Sequence, residues 1–143
     1  MFRFFYVFFF GCLLSILAGW CSSVEASQTV GSVDLRIINA TDIYNQPIII
    51  NQPILSFDVD FGYAFLNLYG TACSENGVSC TPLIGSGHYY NAATGQELRI
   101  GLKIGTKEYR IHFPLSTMTG ILAIYDKDGN MEAGATVIVD KVY

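Results

Sequence analysis

The sequence predicts an all-β fold of short antiparallel strands. After residue 26, apolar and polar residues alternate with a period of two in several runs, which places the apolar side chains on one face of each strand. No stretch of this part keeps an apolar period of about 3.6 residues over three turns, as an amphipathic helix would. Turn-forming residues separate the runs at spacings of about ten residues, which is typical of strands joined by hairpins.

The first 26 residues are predicted to form a secretory signal peptide. Arg3 precedes an apolar run over residues 4–20, and Val24 and Ala26 occupy the −3 and −1 positions of a cleavage site after Ala26. The mature chain, residues 27–143, is then expected to form a single domain. We expect this domain to be secreted, or held at the cell surface, after it passes through the periplasm.

Two other fates of the N-terminal segment stay open. The apolar run is close to the shortest length that spans a bilayer, so an uncleaved membrane anchor is an alternative to cleavage. Lipid attachment at Cys21 is a second alternative, although Trp20 stands where lipoprotein processing prefers a small residue.

The strands of the mature chain can be placed in order. Alternating runs cover residues 33–37, 57–61, 98–104 and 109–113, and a run rich in β-branched residues covers 136–143. The segments 105–108 and 126–130 predict turns before the fourth and the last of these runs. With the less regular runs between them, about seven to eight strands are expected, which favours an antiparallel sandwich, immunoglobulin-like in general shape.

The charge and cysteine content of the mature chain limit the kinds of protein it can be. Removal of Arg3 and Glu25 with the leader leaves the net charge at −4, which argues against binding to nucleic acid because that needs a basic surface. Cys73 and Cys80 flank a polar loop, so an oxidising compartment is expected to join them in a disulfide that stabilises the fold by about 2 kcal/mol. A zinc site would need more ligands than these cysteines and His88.

No catalytic or cofactor-binding set can be assembled from the sequence. Ser86 lies near His88 but lacks the flanking residues and the strand–turn–helix setting of a serine nucleophile. Asp126, Asp128 and Asn130 match the first ligand positions of a calcium loop, but the glycine and glutamate that this loop needs further on are missing. We therefore expect a protein that is not an enzyme and that carries no metal or other cofactor.

Two groups of residues are candidate ligand contacts. Tyr89 and Tyr90 lie next to a predicted loop, and aromatic faces of this kind stack on sugar rings. Arg99, Lys103 and Arg110 belong to a basic hairpin that would attract a glycan or a lipid headgroup with negative charge. The alternative is that these basic side chains only protect a sheet against edge-to-edge pairing.

The end of the chain carries a family resemblance. Residues 133–143 form an Ala-Gly turn that runs into an alternating strand ending on tyrosine. This ending resembles the final strand of small exported bacterial β-sandwich subunits, the pilin-like proteins that are assembled by the chaperone–usher route. Residues 31–39 and 54–57 look like the opening strands of the same group.

The resemblance implies an incomplete sandwich that a strand from a neighbouring subunit completes. It implies that the final strand is the edge that binds a chaperone or another subunit, through Thr136, Val137, Ile138, Val139, Val142 and Tyr143. It also implies that residues 27–38 are the donor segment, with Val30, Val33, Leu35 and Ile37 as its apolar positions.

The sequence thus leads to one functional hypothesis and two alternatives. The hypothesis is a pilin-like, fimbrial or adhesive subunit that acts through contacts with other subunits, a periplasmic chaperone or a cell-surface glycan. The first alternative is a small extracellular module that binds a glycan or an anion through Tyr89, Tyr90 and the basic hairpin. The second is a periplasmic inhibitor or accessory protein that uses the Cys73–Cys80 loop as a rigid insertion element.

Overall fold

The computed structural model describes residues 28–61, 65–93, 95–114 and 116–142, and these form eight strands. In chain order the strands are β1 (Gln28–Asp42), β2 (Ile54–Phe61), β3 (Leu66–Cys73), β4 (Cys80–Ala92), β5 (Gly95–Ile104), β6 (Lys107–Pro114), β7 (Thr119–Tyr125) and β8 (Met131–Val142). The predicted signal peptide, its cleavage site and Cys21 lie outside the described residues. Within the described ranges, no helix has the length and hydropathy that crossing a membrane requires.

Each strand pairs antiparallel with the next one along the chain, and β8 also pairs with β1. The described strands therefore close into a barrel that leaves no strand without two neighbours. The prediction of an all-β fold with about eight antiparallel strands is confirmed. The finer expectation of an immunoglobulin-like sandwich is not confirmed, because alternation with period two shows that each strand has a buried face but not how the sheet closes.

The inward faces of the strands fill the barrel with apolar side chains. In β6, Tyr109, Ile111 and Phe113 are buried, whereas Arg110 and His112 between them are exposed. The largest fully buried side chains come from every strand except β4, and they are Leu35, Leu55, Leu68, Leu102, Ile111, Leu122 and Val137. Burial of each of these side chains contributes about 1.5–3 kcal/mol to stability. The alternation in the sequence predicts most of these buried positions.

Strand β4 carries glycine instead at two successive inward positions, Gly85 and Gly87. A Cβ atom at Gly85 would overlap the carbonyl oxygen of Gly101 in β5, and one at Gly70 in β3 would overlap the carbonyl oxygen of Ser56 in β2. The backbones of neighbouring strands thus approach too closely for any side chain at these points, as happens where a barrel bends sharply.

One end of the barrel is crossed by the connection between β1 and β2, residues 43–53. The carbonyl oxygen of Pro53 accepts a hydrogen bond of 2.8 Å from the Ile37 amide, and Ile50 packs against the core. We call this the closed end. The opposite end, where β1 begins and β8 finishes, is called the open end.

The predicted disulfide between Cys73 and Cys80 is confirmed. The two residues are direct partners in the register of β3 and β4, and Cys73 also pairs with Ile54, so the bond lies at the closed end. Inside the loop, the Ser74 amide donates a hydrogen bond of 2.8 Å to the Ser79 carbonyl oxygen. The disulfide therefore joins the two ends of a hairpin that is already hydrogen-bonded.

Replacement of Gly85 by alanine is expected to lower the free energy of unfolding by more than about 2 kcal/mol, because the added methyl group forces β4 away from β5. Gly101→Ala is the matched control, since nothing lies within 4 Å of a Cβ at that strand position. Urea denaturation of both variants measures the difference. Equal stability of the two would contradict the close approach of the strands.

Candidate ligand-binding site

The open end of the barrel contains an apolar cavity of ≈ 300 Å³. It is lined by residues of β1, β2, β3, β5, β6 and β8 and of the β6–β7 connection: Val33, Leu35, Phe57, Val59, Leu66, Leu68, Leu98, Ile100, Phe113, Pro114, Thr117, Met118, Val139 and Val142. The cavity thus gathers side chains from almost every strand that borders this end.

Thr117 is the one lining residue with a polar side chain. Its hydroxyl donates a hydrogen bond of 2.8 Å to the carbonyl oxygen of Thr119, the first residue of β7. No carboxylate, amine or imidazole is among the lining residues. The cavity can therefore solvate an apolar group but offers no partner to a buried charge.

The cavity exists because inward positions near it lack side chains. Gly87 of β4 is the register partner of both Leu66 and Ile100, two of the lining residues. Gly120 of β7 lies against the ring of Phe113, and a Cβ there would come within 2.7 Å of the His112 carbonyl oxygen. An eight-stranded barrel is just wide enough to be filled by side chains or to hold one small ligand, so these glycines leave the open end unfilled.

Exposed apolar side chains line the cavity opening or adjoin its lining residues in sequence or register. Met118 and Val142 line it and remain 62% and 64% exposed, and Phe65 directly precedes the lining residue Leu66. Tyr89 is also exposed and is the register partner of Leu98. Apolar side chains that cluster at the mouth of a cavity mark a binding surface more often than scattered ones do.

The two predicted tyrosine contacts do not form one surface. Successive residues of a strand point to opposite faces, so Tyr89 lies on the same face as its register partner Leu98 and Tyr90 on the outer wall. The guanidinium of Arg99 lies over the ring of Tyr90, at 3.8 Å from its centroid. This cation–π contact occupies one face of the Tyr90 ring.

The predicted basic hairpin is neutralised by carboxylates. Arg99 Nε is 2.7 Å from Glu97 Oε1, and Arg110 Nε is 3.2 Å from Glu108 Oε2. The hydrogen bond from Arg110 lowers the pKa of Glu108, so this pair stays charged over the neutral range. Lys103 is the register partner of Glu108. All three basic side chains thus have a carboxylate nearby, and for the two arginines this is readable in the sequence as Glu and Arg two residues apart on one strand face.

The two segments that the resemblance assigned to assembly pair with each other as adjacent strands of the same molecule. Leu35 and Ile37 of β1 are register partners of Val139 and Val137 of β8, and Val33 pairs with Val142. Val137 is fully buried, and Val139 lines the cavity. Thr136 and Ile138 are half-buried register partners of Ile38 and Arg36. Nothing is described of the Val30 side chain or of Tyr143.

The segment that suggested a calcium loop forms a turn. Asp126 Oδ1 accepts hydrogen bonds of 2.9 Å from the amides of both Asp128 and Asn130, which lowers the pKa of Asp126. The described residues contain no group of three or more His, Cys, Asp or Glu side chains that could hold a metal ion. The geometry of Asp126 is that of an Asx turn at a hairpin tip.

Comparison with known proteins was made by family, by sequence and by structure. No family model, curated protein or solved structure matches the chain. The resemblance to pilin-like subunits therefore stays a prediction.

Because Arg99 and Arg110 are paired with carboxylates, we expect the mature chain to elute from heparin at low salt. The double variant Glu97→Gln/Glu108→Gln frees both guanidinium groups and should elute at clearly higher salt. Asp58→Asn/Asp128→Asn removes the same charge away from the hairpin and serves as control. Equal elution of the two double variants would contradict local neutralisation.

Proposed function

We propose that this protein is an extracytoplasmic binding protein that holds one small apolar molecule in the open end of its barrel. The observation that carries the proposal is the ≈ 300 Å³ cavity, whose lining is apolar apart from the internally bonded Thr117. Ligand pockets in proteins have volumes of about 300–1,000 Å³, so the cavity is at the small end of that range.

The volume limits the size of the ligand. At about 30 Å³ per water-sized group, the cavity holds about ten non-hydrogen atoms. Burial of that many methylene groups contributes at most about 8 kcal/mol, so a Kd no tighter than about 1 μM is expected. A medium-length acyl chain or a compound of one or two rings fits these limits.

The chemistry of the lining residues also favours binding over catalysis as the function of this cavity. A bound molecule would meet no general acid, general base or nucleophile, since the lining residues are apolar except for one threonine. The extracytoplasmic part of the proposal is supported by the sequence of residues 1–26 and by the Cys73–Cys80 disulfide, a bond typical of oxidising compartments. The proposed function requires a closed barrel rather than an immunoglobulin-like sandwich, because the cavity depends on the closure of β8 onto β1.

Binding can be measured with the neutral two-ring fluorophore 1-naphthylamine, which matches the size limit, on the chain 27–143, which contains no tryptophan. We expect saturable binding to one site and competition by decanol. Val139→Phe places a larger side chain in the cavity and should weaken binding by at least about tenfold, whereas Ile121→Phe on the outer wall, where Ile121 is 71% exposed, should leave it within about twofold.

Thermal unfolding of both variants controls for loss of fold, and Val59→Phe repeats the test from β2 if Val139→Phe unfolds. Equal weakening by the cavity variants and the outer-wall variant would overturn the proposal. So would fluorescence that rises linearly with dye concentration, because it indicates non-specific adsorption.

A second candidate function is the pilin-like assembly that the sequence suggested, and one observation favours it. Residues 33–38 of the proposed donor segment pair with residues 136–142 of the proposed assembly strand. Exchange of β1 between copies would form the same pairs between subunits, as in domain swapping. Partners would then be further copies of the chain or a periplasmic chaperone.

A cross-link at one register pair distinguishes these candidates. Ile38 and Thr136 are direct partners, so the double variant Ile38→Cys/Thr136→Cys is expected to form an intrachain disulfide and to keep the native mass of a monomer. Strand exchange would instead give covalent multimers after oxidation. The single variant Ile38→Cys controls for random cross-linking, and mass spectrometry without reductant reads the result.

A further inference from the structure

The closed end of the barrel contains a second and larger pocket, of ≈ 460 Å³. It lies between residues 48–52 of the β1–β2 connection and the strand ends beneath them. Ile104 and Ile124 form part of its apolar lining, together with the half-buried Ile50. Unlike the cavity at the open end, this pocket also presents polar side chains.

Among the lining residues, Tyr109 best indicates what kind of molecule the pocket can bind. The residue is only 8% exposed, yet its hydroxyl makes no hydrogen bond with any of the residues that the structure describes. A buried hydroxyl without a partner costs about 1–3 kcal/mol, so such a group calls for an explanation. Burial, and to a lesser degree the charge of Glu132, raises the pKa of the Tyr109 phenol. The phenol therefore stays protonated and can donate a hydrogen bond.

Tyr109 belongs both to the core and to the lining of this pocket. Glu132 lines the same pocket, and its charge acts on the Tyr109 phenol. Both carboxylate oxygens of Glu132 accept hydrogen bonds of 2.6 Å from Lys107 Nζ, and Lys107 is a lining residue as well. The two opposite charges balance each other, and the Tyr109 hydroxyl is left as a buried donor that is free to bind a ligand.

We propose that the closed-end pocket binds a small uncharged molecule that has an apolar body and one hydroxyl or carbonyl oxygen. The oxygen accepts the hydrogen bond from Tyr109, and the apolar body lies against Ile50, Ile104 and Ile124. A charged ligand is disfavoured because the Lys107–Glu132 pair leaves no uncompensated charge for it. This site is independent of the open-end cavity, with which it shares no lining residue.

The test uses three probes of similar shape on the chain 27–143: p-cresol, toluene and 4-methylbenzoate. The Val139→Phe background fills the open-end cavity, so binding there does not contribute. Shifts of the Ile104 and Ile124 methyl signals in NMR titrations report binding at the closed end. We expect p-cresol to bind about fivefold more tightly than toluene, which lacks the oxygen, and 4-methylbenzoate to bind more weakly than either.

Tyr109→Phe removes the hydroxyl and keeps the ring. This variant should abolish the preference for p-cresol over toluene while the melting temperature stays unchanged or rises, because an unpaired hydroxyl has been removed. A fall in melting temperature would show that the hydroxyl has a structural partner and would overturn the proposal. The same conclusion follows if p-cresol keeps its preference in Tyr109→Phe, or if 4-methylbenzoate is the tightest probe. Weak dye binding at the open end would not affect these outcomes.

Discussion

The pairing of β1 with β8 is the constraint on which the rest of the structure depends. These strands come from the two ends of the described chain, and their pairing turns a row of hairpins into a closed surface. Closure gives every described strand two hydrogen-bonded neighbours and brings Leu35 and Val137 into the core. Without it, the sheet would have two open edges and no interior, and neither cavity would exist.

Closure alone would give a barrel filled by side chains. The glycines of the strands are therefore the second feature on which the two cavities depend. An interior formed by eight strands leaves little free space when each inward position carries a side chain. Gly85 and Gly87 interrupt the inward row of β4, and Gly120 does the same in β7. The two ends then differ because the β1–β2 connection crosses one of them, where its Pro53 is buried. One chain in this way forms an apolar cavity and a separate pocket with polar groups.

The sequence predicted the local structure better than the assembly of the strands. Alternation in segments such as 98–104 and 109–113 identified the buried faces, because a half-buried strand needs a period of two whatever the architecture. The same period occurs in sandwiches and barrels, so closure could not be read from it. The Cys73–Cys80 bond could be predicted because its loop is short and polar.

The candidate sites were harder to anticipate from the sequence. The lining of the open-end cavity consists of ordinary core residues, and only the register shows that glycines face them. Arg99 and Arg110 look like a basic patch when only the positive residues are considered, but Glu97 and Glu108 lie two residues before them on the same strand face. Tyr109 looked like one more apolar position in an alternating strand.

The most direct test of this account is an NMR measurement of nuclear Overhauser effects across the β1–β8 seam. It uses a mixture of labelled and unlabelled chains, so that contacts within one molecule can be separated from those between molecules. The account predicts contacts between Leu35 and Val139 and between Ile37 and Val137 within a single molecule. Their absence, or their occurrence only between molecules, would contradict a barrel that each chain closes by itself.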